Sequence, residues 1–214
     1  MDTRFRYAYL HGFASSPLSR KGVHLRDRLA EKGVELWLPD LNCPSFAKLS
    51  HAAMLAHLDQ VDAMTPDGRP WRFIGSSLGG WVAARWAQLR QTRVDRLLLL
   101  CPGFGLAERW PELLGAEAIA TWEREGALPL PDGSGTPVPI HYGFLEEART
   151  ESAAPGVACP TVIIHGSRDE VVPIESSRRY SLHRRNVRLV EVDDDHTLMQ
   201  SLDAIEMEAL RHFA

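Results

Sequence analysis

A chain of 214 residues with 44% hydrophobic content is long enough for one domain around a sizeable core. Its 24 basic and 28 acidic residues leave a formal charge of −4, which gives no general attraction to nucleic acid. No apolar run approaches the ~18–20 residues that span a bilayer, and the N-terminus lacks the apolar core of a signal peptide.

Taken in order, residues 7–10 read as a first core strand ending at His11-Gly12-Phe13. Ser19 can cap a helix that carries Leu25 and Leu29 one turn apart and stops at Gly33. Residues 34–38 form a second strand closed by Pro39-Asp40. Ser45 can cap a longer helix with Met54, Leu58 and Val61 on one face. A Pro66-Asp67-Gly68 turn then leads to a third strand at residues 71–74. Residues 94–100, with four leucines in succession, residues 161–164 and residues 187–192 complete a set of six strands. A closing helix carries Leu202, Ile205, Ala209 and Phe213. Near-continuous apolarity, rather than alternation, marks strands covered on both faces, as in parallel sheets. The pattern predicts a three-layer α/β domain over 1–214 with a mainly parallel sheet.

Residues 102–158 break this rhythm, because half of the chain's 14 prolines and the turn-rich Pro131-Asp132-Gly133-Ser134-Gly135 fall there. The segment is expected to be an irregular insertion with a hairpin near residues 128–140, and to form a small cap over a site at the carboxyl ends of the strands.

The residues that carry chemistry begin with Gly75-Ser76-Ser77-Leu78-Gly79, a G-x-S-x-G run between the third strand and a helical run at residues 81–89. Glycines 75 and 79 permit a tight strand–turn–helix and leave the hydroxyl of Ser77 exposed at its tip. A serine hydroxyl is a poor nucleophile at neutral pH and needs an adjacent base, which histidine supplies and a carboxylate orients. Of nine histidines, His183, His196 and His212 come after Asp169; His183 lies at a helix end before the last strand and His212 on the last helix, so His196, just after the last strand, is the one correctly placed. Asp169, on the loop after residues 161–164, is the expected acid. Glu170 and Asp193-Asp194-Asp195 are its rivals, the three aspartates being better placed to tune the field around His196. The N–H groups of Leu78, at a helix start, and Phe13, on the loop after the first strand, are the expected oxyanion donors. His-Gly after a strand is also an ordinary turn, and His11 could simply brace that loop. Trp81, Phe104, Trp110 and Tyr142 are candidates to wall a substrate pocket, although core packing is the stronger reading of each. His24 and His141 could line an entrance or merely lie at the surface. The basic run around Arg178 reads as a solvated face. Three scattered cysteines, Cys43, Cys101 and Cys159, argue for a reducing cytoplasm rather than a disulfide framework or zinc site.

Together the motifs at residues 9–17 and 75–80 resemble the α/β-hydrolase superfamily, and more narrowly its short bacterial esterases with a reduced cap. That resemblance implies ester hydrolysis through an acyl-enzyme, with a Ser77–Asp169–His196 triad, a small-molecule ester as substrate and no cofactor. Thioester, peptide or carbon–carbon bond hydrolysis would use the same triad, and a non-catalytic binding protein is the alternative of another class. Larger superfamily members begin with two further strands; this chain opens on what would be their third.

Overall fold

The apolarity of the strands has its counterpart in two hydrophobic clusters, one on each face of a parallel sheet. The computed structural model describes residues 4–65 and 67–214. Its six-stranded sheet contains β1 (Arg6–Leu10), β2 (Leu36–Trp37), β3 (Trp71–Ser76), β4 (Val94–Leu100), β7 (Thr161–Gly166) and β8 (Val187–Val192). The strand order is β2-β1-β3-β4-β7-β8, and every pairing is parallel. Successive strand side chains point to opposite faces, so the leucine run of β4 divides between the clusters. Leu97 and Leu99 join one with α2 (His51–Ala63) and α3 (Leu78–Leu89). Leu98 and Leu100 join the other with α1 (Arg20–Ala30) and α8 (Leu202–His212). Both faces of β4 are therefore dry, which is why it carries no alternation.

Ser19 caps α1 as expected, its Oγ accepting from the Gly22 N–H at 3.3 Å. The expected long helix from Ser45 is instead two pieces. Ser45 caps a single 3-10 turn, Phe46–Lys48, and α2 starts afresh at Ser50, whose Oγ accepts from the Ala53 N–H at 3.1 Å. Leu49 lies between them at ψ 134°, outside the helical range, so one helix cannot run through. The second strand is also shorter than 34–38, because only Leu36 and Trp37 find partners on β1. Pro66, from the turn expected before β3, lies outside the described residues.

Between β4 and β7 the chain is more regular than its prolines suggest. It folds into α4 (Leu106–Leu114), α5 (Ala116–Glu125), a hairpin of β5 (Ala127–Pro131) and β6 (Pro137–His141), and α6 (Gly143–Thr150). Four of its prolines sit in the hairpin, at 129, 131, 137 and 139, where a two-stranded ribbon leaves outward N–H positions unneeded. Glu147 of α6 fastens this segment to the sheet layer. Its carboxylate accepts from Ser50 Oγ at 2.9 Å and from the His51 N–H at 2.8 Å, at the N-terminus of α2. His141 Nε2 donates to the Leu49 carbonyl at 2.8 Å, and Arg85 pairs with Glu151 at 2.8 Å.

Candidate active site

Ser77 is the one residue between β3 and α3, and it takes φ 52°, ψ −118°, a left-handed conformation uncommon outside glycine. Its neighbours hold it there. A Cβ on Gly75 would lie 2.5 Å from the Gly79 carbonyl, and one on Gly79 would overlap the Leu10 and His11 carbonyls at the end of β1. The glycines thus serve close passage of strand and helix backbones. The Ser77 N–H donates to the Leu100 carbonyl at 2.9 Å, and the Ser77 carbonyl accepts from the Gly103 N–H at 2.9 Å. The turn after β4 therefore grips the serine from one side.

The other expected side chains converge on it from 92 and 119 residues further along the chain. Asp169 follows β7 and His196 follows β8. His196 Nε2 lies 3.0 Å from Ser77 Oγ, and His196 Nδ1 lies 2.7 Å from Asp169 Oδ2. A carboxylate only accepts, so Nδ1 carries the proton and Nε2 is left to accept from the serine hydroxyl. The Asp169 side chain is wholly buried, while that of His196 is 21% exposed. Burial alone would raise the Asp169 carboxyl, but hydrogen bonds from His165 and His196 override it and hold the group well below the usual carboxylate range.

The rival acids have other partners. Asp194 is buried and accepts from the Gln200 N–H and Ser201 Oγ, both at 2.9 Å, so it fixes the start of α8. Asp195 accepts from the Thr197 N–H at 2.8 Å, directly beside the histidine. Lys21 of α1 holds the same loop, its Nζ donating to the Thr197 carbonyl at 2.6 Å. Glu170 is exposed and contributes its carbonyl to Arg109 at 3.1 Å.

Gly12 packs on the serine so closely that a Cβ there would sit 3.1 Å from Ser77 Cβ. Phe13 follows it, and Leu78 opens α3; among the described residues neither N–H donates to a protein acceptor. His11 does brace its loop, with Nε2 accepting from the Leu41 N–H at 2.9 Å. His24 lies away from this region, 3.7 Å from Glu206 of α8, and His141 serves the hairpin anchor described above.

Of the four aromatic candidates, Trp81 and Trp110 line a cavity of about 30 Å³ that reaches Leu78, together with His51, Leu106 and Phe144. Phe104 instead packs on Tyr180 of α7 (Ile174–Leu182), ring centroids 4.4 Å apart, and Tyr142 packs on Trp122 at 6.0 Å. Neither lines the cavity, because both rings complete the core. Sequence reasoning missed His51, whose ring stacks on Phe144 at 4.7 Å and is pushed down to about 4 by burial, against the pull of Glu147 and Glu151. Only its place at the head of α2 could have hinted at it. A larger hollow, about 450 Å³, lies at the other ends of the strands, lined by Arg6, Trp37 and Trp71, far from this chemistry.

Cys101, His165 and Asp169 bring potential metal-ligand atoms within 4.8 Å of one another. Their lone pairs are already engaged in hydrogen bonds at Asp169 and His165, and burial pushes the Cys101 thiol up, which keeps it protonated. The donor set suits a hydrogen-bond network better than a cation.

Comparison with known proteins gives the same architecture. The mouse palmitoyl-protein thioesterase ABHD10 is 32% identical over 115 residues, 50% of this chain and 38% of that protein. The pimeloyl-[acyl-carrier protein] methyl ester esterase of Chromobacterium violaceum is 28% identical over 141 residues, 51% of this chain and 56% of that protein. The match thus spans only 38% and 56% of the length of these curated relatives. The structure of mouse alpha/beta hydrolase domain-containing protein 10 superposes with a TM-score of 0.76 at 21% identity, covering 97% of this chain and 88% of that one. With a family model matching residues 6–214, this α/β-hydrolase-fold chain belongs to the uncharacterised protein family UPF0227.

Proposed function

We propose that the protein is a serine hydrolase that cleaves small carboxylic esters through an acyl-enzyme. The observation that carries this is the continuous Ser77–His196–Asp169 hydrogen-bonded line, 3.0 and 2.7 Å, at a strained turn beside unengaged N–H groups. His196 takes the hydroxyl proton as Ser77 Oγ attacks the ester carbonyl. Asp169, kept ionised by its hydrogen bonds, stabilises the imidazolium that forms. The N–H groups of Phe13 and Leu78 receive the oxyanion, the latter helped by the α3 dipole. His196 then protonates the leaving alcohol and later activates the water that frees the acid.

The segment between β4 and β7 acts as the cap, and the cavity under it receives the acyl group. At about 30 Å³ this space holds little more than one or two water-sized groups, so the acyl chain is short. A thioester is the second reading, favoured by the relative that bears a thioesterase name; the attacked carbonyl is the same in both.

A fluorophosphonate probe tests the nucleophile: the wild type becomes labelled at Ser77, and Ser77→Ala is neither labelled nor active, with turnover lower by roughly four to six orders of magnitude. Undiminished ester turnover by Ser77→Ala would remove Ser77 from the mechanism.

A further inference from the structure

Asp169 faces a second imidazole that the Ser77–His196 line does not require. Its Oδ1 accepts from the Val171 and Val172 N–H groups at 2.9 and 2.8 Å. Its Oδ2 faces two imidazoles, His196 Nδ1 at 2.7 Å and His165 Nε2 at 3.2 Å. His165, at the end of β7, is fully buried. Its Nε2 also lies 2.8 Å from the Val172 carbonyl, and its Nδ1 lies 2.7 Å from Ser177 Oγ on α7. Both neighbours of Nε2 are acceptors, so Nε2 carries the proton and Nδ1 accepts from the Ser177 hydroxyl.

We propose that His165 is a positioning residue: its shared Nε2–H locks Asp169 Oδ2 toward His196 and draws off part of the carboxylate's charge. The inference rests on reading Ser77, His196 and Asp169 as one catalytic unit. Other charged or titratable groups face this pair from their own elements: Cys101 after β4, Lys21 on α1, Glu191 on β8, and Asp194 and Asp195 on the loop that follows. A substitution at 165 removes none of these side chains. Without the His165 donor, Oδ2 keeps more charge for the His196 imidazolium, which then yields its proton less readily.

The test is the pH profile of kcat/KM with p-nitrophenyl acetate for the wild type, His165→Leu, His165→Gln and Ser177→Ala, with fluorophosphonate labelling of each. In His165→Leu the acid limb moves to higher pH and kcat/KM falls by about tenfold to a hundredfold, what one hydrogen bond to a charged group is worth. His165→Gln places an amide N–H near the former Nε2 and brings the limb back toward the wild type. Ser177→Ala loosens the tautomer and shifts the limb the same way by less. A limb that stays put in His165→Leu, or one displaced equally by Gln, overturns the proposal. If His165→Leu does not fold, an unmoved limb in Ser177→Ala overturns it. A wild type that neither labels nor turns over the ester refutes the underlying catalytic reading instead.

Discussion

At the scale of single residues, the site is built from groups held in unfavourable states by their surroundings. Ser77 sits at positive φ because Gly75, Gly79 and Gly103 let three backbones crowd around it. His51 is buried as the neutral imidazole, pushed down to about 4 by desolvation. In the unfolded chain it would titrate near ~6.5, so between about pH 6.5 and 4 the unfolded state binds the proton and the folded state does not. Stability therefore falls as the pH drops through that window and levels off below it, by roughly 3 kcal/mol for a full effect. His212, also pushed down to about 4 by burial, adds a loss of the same sign. Paired carboxylates such as Asp62, whose burial is outweighed by Arg93 and Trp71, lose their contribution only below about pH 4, outside the window. Urea unfolding at pH 7 and pH 4.5 checks this: His51→Phe, which keeps the stack on Phe144, loses less stability between the two than the wild type. Ser77, Asp169 and His196 could be picked out by motif, chain order and position after a strand. His165 could not, since a histidine followed by glycine at a strand end looks the same whether it turns the chain or faces a carboxylate.

At the scale of elements, the β4–β7 segment is fastened to the head of α2. Glu147 completes the N-terminus of α2, satisfying N–H groups that the helix itself cannot. Glu147→Ala is expected to cost about 1–2 kcal/mol, read as a lower Tm, and to speed amide exchange at the head of α2 and in α6. The short-acyl reading proposed above rests on the small cavity that this segment borders. Across p-nitrophenyl esters of graded length, the wild type turns over acetate and propionate best, and Trp110→Ala, which opens the cavity wall, moves the optimum to longer chains. A wild-type preference for octanoate or longer would contradict the size of the cavity. The hairpin was legible from its Pro-Asp-Gly-Ser-Gly turn, but the three helices around it were not. Their apolar faces pack on one another through Trp110, Trp122 and Phe144, and proline density hid their periodicity.

At the scale of the whole molecule, strand order does the gathering. β1 and β3 are neighbours, and the chain leaves β1 toward β2 on one side and continues from β3 to β4 on the other. That divergence opens a crevice at the carboxyl ends of the two strands, into which Gly12 and Ser77 project. β7 and β8 follow β4 in the sheet and bring Asp169 and His196 to the same rim. Gly79→Ala would drive a methyl group into the end of β1; a loss of labelling at Ser77 together with a lowered Tm is expected, because site and sheet share this contact.

The sequence alone determined what is periodic or local. It carried the six strands of one sheet, the strand–turn–helix around Ser77, the Ser19 cap, and an aspartate and a histidine each following a late strand. These depend on the side-chain repeat of an element or on the chemistry of a few consecutive residues. Tertiary structure alone decided that Glu147 caps the start of α2, that Phe104 and Tyr142 belong to the core, and that Asp169 lies between two imidazoles. Each of those outcomes depends on which distant segments touch, and packing sets such contacts through shape and burial that no single stretch of residues encodes.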